Sequence, residues 1–97
     1  MDAIINRRRY STETADLLAL ADDEFLDRTN RLTHGRATHL DRTPRGAYFV
    51  FHETIWQHEH DSIEPLTETE AADLYEELLN KNVPFEAAFP GIEVIEA

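Results

Sequence analysis

The pattern of apolar and polar positions is clearest in the middle of the chain. Ala47-Tyr48-Phe49-Val50-Phe51-His52 is a run of aromatic and β-branched residues, and Ala37-Thr38-His39-Leu40-Asp41-Arg42-Thr43 before it has strand-compatible composition. Between them, Thr43-Pro44-Arg45-Gly46 puts proline at the second turn position, where its fixed φ is already correct, and glycine at the fourth. The pattern predicts a β-hairpin. It also predicts a third strand over part of Thr54 to Glu64, interrupted at Asp61-Ser62.

A helix is predicted over 68–80. Thr67 is its N-cap and Glu70 lies three residues on, so hydroxyl and carboxylate can each satisfy an orphaned backbone donor. Ala71, Leu74, Tyr75 and Leu78 then fall at i, i+3, i+4 and i+7 as one apolar stripe. Pro84 disfavours helical geometry at Val83 and sets the limit of the element. Nearer the N-terminus, Ser11 or Thr12 caps a helix through Thr14 to Ala21, or the same apolar run is a buried strand. Periodicity alone leaves both open. Residues 22–36 read as a short helix or loop around Phe25-Leu26. Phe85, Phe89, Ile92, Val94 and Ile95 are predicted to pack back as an extended segment, with Glu93 and Glu96 towards solvent. The expected fold is α+β. It is a single domain over residues 1–97, with a small antiparallel sheet of about three strands, one main C-terminal helix and a weaker N-terminal helix or strand.

Length and composition narrow the function classes. A chain of 97 residues suits one modest core rather than a large cofactor cradle, and no cofactor is expected. The absence of cysteine excludes a disulfide framework, a thiolate zinc site and a cysteine nucleophile, and fits a reducing compartment, with the cytoplasm as the default. Arg7-Arg8-Arg9 ahead of Ala15–Ala21, with Ala19-Leu20-Ala21, imitates a secretion signal, but Asp16 breaks the apolar stretch. No segment approaches the ~18 apolar residues of a membrane helix.

Charge changes the picture most. Nine Lys+Arg against 20 Asp+Glu give −11, which argues against direct nucleic-acid binding and against adhesion to anionic lipid. Residues 1–46 carry eight arginines and eight acids and sum to zero. Residues 47–97 carry twelve acids and one lysine, so the whole excess lies there, at 1 − 12 = −11.

Few constellations carry chemistry. His52, His58 and His60 are a workable set of metal nitrogens, but spacing of this kind is common among solvated surface residues, and no metal is assigned. The chain holds no G-x-S-x-G, P-loop, G-x-G-x-x-G or H-E-x-x-H, so no enzymatic activity is expected. Arg7-Arg8-Arg9-Tyr10 invites a phosphate reading, yet in so acidic a chain a solvated charge run is preferred. The uncompensated acids are harder to explain by solubility, because they impose self-repulsion. Glu68, Asp73, Glu76 and Glu77 on the helix, with Glu59, Asp61 and Glu64 beside it, are the expected partner-binding residues. Trp56 is either their hydrophobic anchor or a core residue. The expected partner is a host protein with a basic nucleic-acid-binding surface, engaged by charge mimicry by a monomer or homodimer. The alternatives are a His-based metal-binding module and a structural or dimerisation accessory protein.

Three stretches resemble a group of small acidic proteins of unassigned function carried by bacterial conjugative elements, plasmids and phages. They are Tyr10-Ser11-Thr12-Glu13-Thr14-Ala15, Arg42-Thr43-Pro44-Arg45-Gly46-Ala47-Tyr48-Phe49, and Ile63-Glu64-Pro65-Leu66-Thr67-Glu68-Thr69-Glu70-Ala71. The chain departs from that group at His52 to His60, where relatives carry Gly-rich segments. The resemblance implies a mobile-element setting. By analogy with small acidic proteins of such elements, it implies an anti-CRISPR inhibitor that keeps target DNA out of an effector complex.

Overall fold

A computed structural model describes residues 1–21, 36–54, 60–78 and 80–97, with 36 and 37 described for their backbone alone. The elements in chain order are β1 (Asp2–Ile5), β2 (Arg8–Ser11), β3 (Asp16–Leu20), β4 (Arg36–Arg42), β5 (Tyr48–Thr54), β6 (Ser62–Leu66), α1 (Glu68–Glu77), β7 (Asn80–Lys81) and α2 (Phe85–Ala88). The expected loop or helix around Phe25-Leu26 lies outside the described residues.

The central hairpin forms as its turn chemistry dictates. Gly46 N donates to Thr43 O at 2.9 Å, Thr43 N to Ala47 O at 2.8 Å, and the Thr43 hydroxyl accepts from Ala47 N at 3.0 Å. Gly46 has φ +90°, a conformation that a Cβ would strain. From this hairpin the sheet grows both ways in the order β6-β5-β4-β3-β7, with every pair antiparallel. Its third strand starts only at Ser62, where Asp61 Oδ1 accepts from Thr54 N at 2.9 Å and ties the end of β5 to the start of β6. Pro65 falls in β6, an edge strand, where a residue with no N–H to offer is tolerated.

The expected α+β fold with about three strands is overturned. The described residues form a mostly β molecule, with a five-stranded sheet, a separate two-stranded sheet of β1 and β2, and one main helix. The strands that escaped prediction are short: β1 and β2 have four residues each and β7 has two. Runs of that length show no measurable period. They are fixed instead by a turn and by pairing. Ile5 pairs with Arg8 across the two-residue turn Asn6-Arg7, both at positive φ (53° and 64°), the type I′ geometry that suits the twist of a hairpin. The stretch Asp16–Leu20 is a strand, not a helix, and a bulge at Leu18 brings Leu18 and Ala19 into the same core. The bulge also frees the Leu18 carbonyl to accept from Asn82 N (2.9 Å) and Val83 N (3.1 Å). This draws the chain after α1 onto the edge of β3 and ends the helix at Glu77, three residues before the expected limit.

Strand β5 is buried on both sides, which explains its continuous apolar run. One face of the sheet carries Leu40, Tyr48 and Leu66 and is covered by α1 and α2, with Leu18, Ala71, Tyr75, Leu78, Ala88 and Phe89 in one core. On the other face Phe49 and Phe51 pack with Tyr10 of β2, and Ile5, Ala15 and Ile63 flank them. The C-terminal segment differs from expectation. Phe85 opens a four-residue helix and Phe89 is fully buried, but Val94 and Ile95 are exposed rather than packed back.

Candidate protein-binding face

The acidic outer face is built by the way α1 is capped. Thr67 Oγ1 accepts from Glu70 N at 3.1 Å while Glu70 Oε1 accepts from Thr67 N at 2.9 Å, the reciprocal pair that the sequence predicts. The Thr67 backbone N–H, and after it the Thr67 hydroxyl, hold the Glu70 carboxyl below its ordinary pKa, so Glu70 serves the cap. At the other end Lys81 Nζ donates to Glu76 O at 3.3 Å and to Leu78 O, and lies 5.4 Å from the Tyr75 ring centroid. A cation there suits the negative end of the helix. The single lysine of residues 47–97 is thereby occupied at the helix end.

Asp73, Glu76 and Glu77 are left exposed at i, i+3 and i+4, one patch on the solvent side of α1. No basic side chain among the described residues pairs with them. The other expected residues are dispersed. Glu68 turns towards the C-terminal segment, where a Cβ on Gly91 would come within 2.9 Å of its Oε2. Glu64 is exposed in β6, on the helix-covered side by its register with Val50. Asp61 is half-buried and committed to Thr54 N. Trp56 and Glu59 lie outside the described residues, as does His58. His52 and His60 are exposed, His52 Nδ1 sits 3.4 Å from Thr38 Oγ1, and among the described residues no three His, Asp or Glu side chains gather as metal ligands.

An apolar element that the sequence did not reveal adjoins the acidic patch. Phe85, Ile92, Val94 and Ile95 line a groove of about 480 Å³ rimmed by Glu76, Glu86 and Glu93. Its floor is secured from beneath. Arg42 Nη1 donates to the carbonyls of Ala87 and Ala88 at 2.9 Å, and the Tyr48 hydroxyl donates to Ala88 O at 2.7 Å. These donors satisfy the last carbonyls of α2. Phe89 stacks on Tyr48 at 5.0 Å between centroids, and Phe85 meets Phe89 at 5.0 Å and Tyr75 at 5.6 Å. Burial, and after it the Glu86 carboxylate, push the Tyr75 hydroxyl above its ordinary pKa. The signal that was present in the sequence is the apolar set Ile92, Val94 and Ile95, which marks a segment with side chains to bury without saying that some of them stay open.

No family model, curated protein or solved structure matches this chain. Among the described residues no helix is long and apolar enough to cross a membrane.

Proposed function

We propose that the chain is a protein-binding module that offers the acidic face of α1 and the adjoining apolar groove to a basic surface of a partner built to hold nucleic acid. The observation that carries this reading is the joint exposure of Asp73, Glu76 and Glu77 beside Val94 and Ile95, with the Lys81 ammonium committed to the backbone carbonyls of Glu76 and Leu78 and not ion-paired to these carboxylates. Carboxylates steer a cationic surface into contact, and the groove supplies an apolar site where side chains of the partner lose water. Occupying a surface that otherwise holds phosphates is competition with nucleic acid. The resemblance to mobile-element proteins adds the most specific form of this reading, an anti-CRISPR inhibitor that excludes target DNA from an effector complex.

The test has two readouts. A partner captured from a bacterial host lysate loses DNA or RNA binding when the chain is added. Replacing Asp73, Glu76 and Glu77 together by Lys weakens that capture about tenfold or more, and raising ionic strength weakens the wild-type contact in the same direction. Capture indifferent to both salt and charge reversal defeats the proposal.

A further inference from the structure

A second site lies on the part of the molecule whose net charge is zero. The turn of the β1–β2 hairpin and the turn of the β4–β5 hairpin meet around a cavity of about 530 Å³, lined by Arg7, Arg8, Arg9, Arg45, Tyr10 and Thr43. Four arginines therefore border one depression in a chain that is strongly acidic overall, with Arg8 on the Tyr10 side of β2 and Arg9 on the opposite side, with Asp2. No carboxylate of the described residues lines it. Arg9 is the only one of the four with an ion pair among the described residues, a 3.7 Å contact with the half-exposed Asp2, and Arg7, Arg8 and Arg45 have none. The sequence reading of Arg7-Arg8-Arg9 as a terminal solvated run is incomplete, because the turn folds the run back towards Arg45.

Backbone conformation adds an independent observation. Arg7 occupies the second position of a type I′ turn at φ 64°, where glycine is favoured and a side chain costs roughly 1 kcal/mol or more. A guanidinium has been placed where the fold itself prefers no side chain. Nor is the cavity an aromatic platform: Tyr10 is buried, its ring edge-on to Phe49 at 5.6 Å and 70°. The Thr43 hydroxyl accepts from Ala47 N and keeps its own proton to donate.

We infer that this cleft binds a small phosphate-bearing polyanion, of the size of a diphosphate, held by the forks of Arg7, Arg8 and Arg45 and by the Thr43 hydroxyl. Guanidinium pairs match the geometry of phosphate oxygens in a way that lysine does not. The volume is that of a small-molecule pocket. The site is separate from the acidic face and does not depend on it.

The test is calorimetric titration of the full chain with pyrophosphate at low salt, repeated on Arg7→Gly and Arg45→Gln. Arg7→Gly relieves the turn, so it folds at least as stably as the parent while binding falls about tenfold. Arg45→Gln gives a similar loss without touching the turn. ADP in place of pyrophosphate distinguishes the source of the phosphates: equal affinity assigns recognition to the phosphates alone, and tighter binding adds the nucleoside, both in keeping with the proposal. No binding of pyrophosphate at millimolar concentration, or binding unchanged in both variants, overturns it. A single-stranded oligonucleotide whose affinity exceeds that of pyrophosphate and grows with length also overturns it, because the cleft then reads a polymer backbone.

Discussion

The two faces of the five-stranded sheet are covered by different kinds of material. On the helix side the core is apolar throughout, and the polar groups at its margin are paired: the Tyr48 hydroxyl with Ala88 O, the Tyr75 hydroxyl with Val83 O at 2.6 Å, and the Arg42 guanidinium with the carbonyls of α2. On the hairpin side a smaller cluster of Tyr10, Phe49 and Phe51 shares its face with Asp41, which pairs with Phe49, and with His39, which pairs with Phe51. Asp41 is 5% exposed, and its Oδ1 has no hydrogen-bond partner. His39 Nε2 lies 3.4 Å from Glu53 Oε1 without the alignment of a hydrogen bond. Stability is concentrated on one face, and the other carries uncompensated polar atoms. The hairpin side is therefore where the fold gives up free energy.

Truncation of the stacked aromatic on the helix side is the most damaging single change expected. Phe89→Ala removes a fully buried ring that meets Tyr48, Tyr75 and Phe85, and costs about 3–5 kcal/mol in denaturant unfolding. Phe51→Ala on the hairpin side, at 9% exposure and beside His39, costs about half as much. Equal losses would remove the asymmetry between the faces.

Asp41 sharpens the same contrast with pH. Desolvation by burial raises its carboxyl from 3.8 to about 6. Between those values the folded state binds more protons than the unfolded one, so stability falls as pH rises through the window and levels off above it. The full shift corresponds to at most about 3 kcal/mol. Asp41→Asn is expected to stabilise the protein at pH 7 by about 1–2 kcal/mol, with the gain gone below about pH 4. Urea midpoints at a series of pH values measure it, and a gain that persists at low pH would show that packing rather than ionisation is responsible.

Smaller still is the cap of α1. Thr67→Ala removes one half of the reciprocal pair with Glu70 and is expected to cost about 1 kcal/mol, read from the shift of the urea midpoint.

What could be read from the sequence divides along the same line. The Thr43–Gly46 turn and the Thr67/Glu70 cap were legible because each depends on residues within four positions of one another. The hairpin of β1 and β2 was not, since Asn6-Arg7 lacks the glycine that signals a type I′ turn, and the conformation is imposed by packing of Tyr10 on Phe49. The choice between helix and strand for Asp16–Leu20 was settled by β4 and β7, partners distant in sequence. Of the candidate face, Asp73, Glu76 and Glu77 followed from helical spacing. The groove did not, because the exposure of Val94 and Ile95 depends on where Phe89 anchors the chain, not on their own neighbours in sequence.

The edge strand β6 has a consequence for how copies of this molecule meet. An incoming strand seeking to extend the sheet past Ser62–Leu66 finds Pro65, which offers no donor, flanked by the exposed carboxylate of Glu64. At the opposite margin β7 is only two residues long and ends in Lys81, so little ladder is available there either. A sheet with both borders closed in this way resists stacking into fibrils, and its charged face stays available to a different molecule rather than being consumed by its own copies.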